Sequence, residues 1–136
     1  MQVFFSTSGG AGTSVVVAAT ALARSRSTSV LIIDLGGDQA AVLGCAEPAG
    51  LRLDDWLRSD AEPEAIARLE LIAAEHIAVL SAAGSFDRAA IPAARLESLI
   101  AWTEAQSRPV LVDVGRRRGL LAQALLAAAT ERVLVT

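Results

Sequence analysis

Ser8-Gly9-Gly10-Ala11-Gly12-Thr13-Ser14 follows a short aliphatic run at residues 3–6 and opens directly into an Ala/Val/Leu stretch at residues 13–24. A glycine turn between a strand and a helix lets backbone N–H groups approach a phosphate, and the helix end adds roughly half a positive charge. Nucleotide-hydrolysing loops of the form G-x-x-x-x-G-K-[ST] also carry a lysine that reaches the β- and γ-phosphates. No residue here can play that part, because all 12 basic residues are arginine. Ser14 stands where such a loop places the hydroxyl that ligates Mg²⁺. Two further readings stay open for these glycines. One is a turn that binds nothing. The other is a dinucleotide-binding unit, which also has glycines after its first strand and an acid about 20 residues on. Asp34 fits that distance, but the spacing is G-G-x-G rather than G-x-G-x-x-G.

Composition sets the frame for the loop. A chain of 136 residues makes one domain whose core needs neither disulfide nor metal. It is 53% hydrophobic and poor in aromatics, which suits a parallel sheet of continuous aliphatic strands buried on both faces. No apolar run approaches the ~18 uninterrupted residues of a membrane-spanning helix. The start, Met1-Gln2-Val3-Phe4-Phe5, lacks the basic segment of a signal peptide. One cysteine, Cys45, excludes an internal disulfide and fits a reducing cytosol, so a cytoplasmic location is expected. With a net charge of −3 there is no global basic surface, and nucleic acid is not an expected partner.

Five strands are expected, at residues 3–6, 30–34, 77–81, 110–114 and 133–136. Helical patterns lie between and after them, at 13–24, 54–57, 63–69, 92–106 and 119–130. This alternation predicts an α/β domain spanning residues 1–136, with a doubly wound, mostly parallel sheet and helices on both faces. Ligands of such sheets bind beyond the carboxyl ends of the strands. The glycine turn, Asp34, residues 81–84 and residues 113–116 all fall there, and that convergence predicts a site better than any one motif. Residues 46–50 and 84–87 read as ordinary loops.

Three separated motifs agree with one family. Residues 8–14, Val30-Leu31-Ile32-Ile33-Asp34-Leu35 and Val110-Leu111-Val112-Asp113-Val114-Gly115 together resemble the ParA/MinD superfamily of deviant Walker ATPases, a P-loop NTPase-like group. Within it, Gly50-Leu51-Arg52-Leu53-Asp54-Asp55-Trp56-Leu57 and the Asp113-Val114-Gly115-Arg116 segment are most similar to the actinobacterial CpaE-like, septum-site-determining and TadZ pilus proteins. The resemblance implies a strand order of 3-2-4-1-5. It also implies that Gly9, Gly10, Ala11, Gly12, Thr13, Ser14 and Asp34 contact a nucleotide, while Ser14 and Asp113 hold Mg²⁺ when one is bound.

The departures from that pattern bear on chemistry. The superfamily reads K-G-G-x-G-K-[ST], but here Ser8 replaces the signature lysine and Thr13 the Walker lysine. The usual D-x-D becomes Asp34-Leu35-Gly36, losing the carboxylate that helps to position the attacking water. Asp38, two residues on, reaches the site only if the loop bends inward, which is not expected. Losing one Lys–phosphate contact weakens binding roughly tenfold to a hundredfold. A missing transition-state cation can cost hydrolysis about 10³-fold or more. The resemblance and its departures imply a pseudo-ATPase that binds ATP or ADP with Mg²⁺ weakly, neither being required for the fold. Its expected partners are proteins of the division or pilus machinery, reached as a homo-oligomer, as a dimer or by edge-strand pairing, without a direct membrane anchor. An arginine substitute for the lysine, with Arg116 nearest in sequence, is the enzymatic alternative. A pure interaction module is the third.

The remaining residues carry weaker signals. Arg116-Arg117-Arg118 reads as a solvated loop before the last helix. His76 has no second metal-type ligand nearby in sequence and reads as structural. Cys45 reads as a small buried or half-buried side chain, and Trp56 and Trp102 as core or interface anchors. Superfamily members continue past the last strand, so a shortened form with an uncovered aliphatic edge is expected.

Overall fold

Every residue of Val30–Asp34 is buried, and so is every residue of Ile77–Ser81. A strand alternates its side chains between two faces, so complete burial requires cover on both. The computed structural model supplies that cover and describes residues 1–82 and 90–136. The loop expected at 84–87, and all but the first two residues of the strand end at 81–84, lie outside the described residues.

The strands are β1 (Gln2–Phe5), β2 (Val30–Asp34), β3 (Leu71–Ala74), β4 (Ile77–Ser81), β5 (Val110–Gly115) and β6 (Glu131–Leu134). They form one sheet in the order β3-β4-β2-β5-β1-β6, parallel throughout except for the antiparallel β3–β4 pair. The expected order is therefore present, extended by a strand that the sequence did not reveal. β5 lies between β1 and β2, whereas a dinucleotide-binding unit has its first two strands adjacent. That topology removes the dinucleotide reading.

Helix α1 (Thr13–Arg24) covers one face, where Val17 and Ala21 pack on Phe4, Val30, Ile32, Val79 and Leu111. The opposite face is covered by α3 (Leu53–Leu57), a 3-10 turn (Pro63–Leu69), α4 (Ala93–Glu104) and α5 (Leu120–Ala128). Trp56 is buried on this side, donating Nε1–H to the Glu62 carbonyl at 3.1 Å. The Arg95 guanidinium stacks 3.6 Å above its ring and donates to the Trp56 and Ala61 carbonyls, and Trp102 packs half-buried against the same core. The anchor reading of both tryptophans fits this placement. Among the described residues no helix is long and apolar enough to cross a membrane.

Three local details add to or differ from expectation. A four-residue helix α2 (Gln39–Val42) follows β2. His76 sits in the tight β3–β4 turn with a left-handed φ of 62°. β6 begins two residues early, so its first residues are the exposed Glu131 and Arg132, and the sheet edge is partly charged rather than wholly aliphatic. Charged residues on an edge strand discourage unwanted pairing.

Candidate functional site

The carboxyl ends of β1, β2 and β5 converge below the N-terminus of α1. Gly10 and Gly12 have φ of 73° and 79°, conformations that favour glycine, and they swing the chain from β1 into the helix. Val16 N–H is the first to close on the Gly12 carbonyl, and no side chain caps the helix. The loop therefore leaves N–H groups facing a cleft of about 540 Å³. Ser8, Gly9, Gly10, Ala11, Gly12, Thr13 and Ser14 all line it, together with Gly36, Asp38 and residues 113–117.

Asp113 stands at the end of β5 and directly beside Asp34 in the β2–β5 register. It is 1% exposed, has the Ser14 side chain beside it and accepts a hydrogen bond from Gln39 Nε2 at 2.7 Å. Burial pushes its carboxyl above the usual range, and the neighbouring Ser14 and Gln39 side chains pull the other way. A hydroxyl and a carboxylate meeting in a cleft are hard oxygen donors that fit Mg²⁺. That ion keeps several waters and commonly takes one or two protein oxygens plus phosphates. Ser14 and Asp113 would hold it, and its charge would offset that of the phosphate oxygens. Among the described residues no group of three or more His, Cys, Asp or Glu side chains stands ready to bind a metal.

Asp34, expected to contact the nucleotide, is not among the residues lining the cleft. It is fully buried, and its Oδ1 accepts from Gly36 N–H at 3.0 Å and Gly37 N–H at 2.9 Å. Oδ2 accepts from Gln39 N–H at 2.9 Å. The carboxylate is thus engaged by the backbone of the β2–α2 turn and shapes the cleft from behind. Burial pushes its carboxyl up to about 6, opposed by these N–H bonds and assisted by the Asp113 charge.

That turn also corrects the reading of Asp38. Gly37 takes a φ of 84° and bends the chain inward, which brings Asp38 into the cleft lining near Asp113. The Gly36-Gly37 pair was the available signal. Gln39, with no signal in the sequence, is fully buried and bridges Asp113 to the Ser14 carbonyl, the latter at 2.9 Å. Among the described residues its own Oε1 has no partner. Arg116 and Arg117 line the cleft as well, so the arginine run is more than a solvated loop. His76 and the half-buried Cys45 are not among the residues lining it.

No family model matches the sequence, and no curated protein matches it. Solved structures do match. A ParA family ATPase from Chlorobium tepidum TLS superposes with a TM-score of 0.73 at 20% identity, covering 97% of this chain and 59% of that one. The chain has the fold of the ParA- and MinD-type ATPases. The septum site-determining protein MinD from Pyrococcus horikoshii OT3, complexed with Mg-ADP, gives 0.71 at 21% identity, with coverages of 100% and 58%. A cobyrinic acid a,c-diamide synthase from Mycobacterium smegmatis, with a bound ATP analogue and magnesium, gives 0.72 at 20%, with coverages of 100% and 60%. The chain thus spans less than two thirds of each of these structures. One fold carries both a septum-siting protein and a synthase, so function has to be argued from this chain's own cleft.

Proposed function

We propose that the chain is a ParA/MinD-like domain of the CpaE-like and TadZ kind. It binds a magnesium nucleotide weakly, turns it over little or not at all, and acts through protein contacts in septum siting or Tad-type pilus positioning. One observation carries this reading: the phosphate cradle and the Ser14–Asp113 pair line one cleft in a chain without lysine. Binding draws on backbone N–H groups and the ion, which this cleft offers. Hydrolysis needs cationic stabilisation of the transition state, and one missing cation costs about 10³-fold or more. With Mg-ATP, phosphate release is expected to stay at background. Robust turnover that Asp113→Ala abolishes would overturn the proposal.

Asp38 favours a second reading. Its place in the cleft restores a carboxylate near Asp113, as an active ATPase would need to orient water. On that reading turnover is measurable and disappears in Asp38→Ala while nucleotide still binds. A protein that only makes protein contacts would show no thermal shift with any nucleotide, even at millimolar concentration.

A further inference from the structure

Gly9 is a glycine for a reason unlike that of its neighbours. Gly10 and Gly12 have left-handed backbones and open space where a Cβ would stand. Gly9 has neither. The position its Cβ would occupy lies 3.3 Å from Arg116 Nη1, 3.5 Å from Cζ and 3.8 Å from Nε. A guanidinium therefore rests against the bare backbone of the loop, and a side chain at position 9 would crowd it.

Among the described residues that guanidinium is uncommitted. Arg108 spends its fork on the Glu70 carboxylate, and Arg95 spends its own on two carbonyls and a tryptophan ring. Among the described residues Arg116 makes no hydrogen bond and no ion pair, although Asp38 and Asp113 line the same cleft. It presents five N–H donors in a rigid plane, a geometry matched to pairs of phosphate oxygens.

We propose that Arg116 is the phosphate-binding cation of this cleft, standing in for the absent lysine. Its ligand is a nucleoside di- or triphosphate whose terminal phosphate takes the fork of the guanidinium. The inference rests on the reading that the cleft binds nucleotide. It changes where the charge comes from. A lysine at the start of α1 would belong to the glycine loop itself, whereas Arg116 belongs to the segment after β5. Ligand binding then joins the two loops. Because the fork grips two oxygens at once, a lysine at position 116 replaces it only in part.

Calorimetric titration of the full chain with Mg-ATP, Mg-ADP, AMP and inorganic pyrophosphate tests this. Arg116→Ala is expected to weaken Mg-ATP and Mg-ADP by about tenfold to a hundredfold, with partial recovery in Arg116→Lys. Gly9→Ala displaces the guanidinium without removing it and is expected to weaken the same ligands. Arg118→Ala, exposed and outside the cleft lining, leaves them unchanged. Pyrophosphate binding that falls with Arg116→Ala, while AMP is unaffected, places the contact on the terminal phosphates. Unchanged Mg-ATP and Mg-ADP affinity in Arg116→Ala, or an equal loss in Arg118→Ala, overturns the role of Arg116 and leaves the nucleotide reading intact. A wild-type chain that binds none of the four at millimolar concentration overturns both.

Discussion

Replacing Asp34 by alanine is expected to cost the fold about 2–4 kcal/mol, lowering Tm by roughly 10 °C, and to abolish nucleotide binding as well. The carboxylate closes the β2–α2 turn by accepting from three backbone N–H groups, and the Gln39 bond is fully buried. Alanine orphans all three donors. The turn then releases Asp38 from the cleft lining and Gln39 from Asp113. A thermal melt paired with a Mg-ADP titration reads both effects, and a Tm within about 2 °C of wild type would sink the assignment.

The same group sets a pH dependence whose sign can be worked out. Burial raises the folded carboxyl to about 6 from its ordinary value of 3.8. Between those values the folded chain holds more protons than the unfolded one. Its contribution to stability is thus full below the ordinary value and is lost as pH rises through about 6. Asp113, raised in the same direction, adds to the trend. Denaturant titrations from pH 4 to 7 should show this fall, and Asp34→Ala should flatten it.

Thr13→Lys is expected to raise affinity for Mg-ATP by about tenfold to a hundredfold. Thr13 is the first residue of α1 and lines the cleft, so a longer side chain can run along the wall toward bound phosphates. One charge-assisted hydrogen bond accounts for the gain. If Arg116 already serves the terminal phosphate, the two cations share a ligand group and their effects are not additive. The gain is then larger in the Arg116→Ala background than in wild type. Calorimetry on the four combinations closes the cycle. No gain in either background means that the loop does not carry phosphate.

The sheet was legible because strands buried on both faces must be written as aliphatic runs, and Val30–Asp34 and Val110–Gly115 are such runs. β3 escaped notice for physical reasons. Leu71–Ala74 is four residues long, follows a 3-10 turn with only Glu70 between them, and pairs on one side only. Its Ile72 points into solvent, so the alternation carries no contrast. α2 is a single turn, too short for any helical period. In the cleft, the glycine loop could be read because its chemistry is local. Gln39 could not, since the bond that gives it a role reaches Asp113 across 74 positions. Arg116 was visible as a charge, but its approach to Gly9 exists only once β1 and β5 are paired.

The placement of β1 has a consequence for how the chain is made. Gln2 pairs with Leu111 on one side and with Glu131 on the other, so β1 is held between two strands that are both made after β2, β3 and β4. At about 5–20 residues per second, β1 waits several seconds on the ribosome before either neighbour exists. The glycine turn hangs from its end throughout. Closing that long loop is the slow, non-local step of folding, and it also assembles the cleft. Nascent chains halted before β5 should therefore hold β2, β4 and α1 without a formed cleft, so that phosphate recognition arrives only with β5.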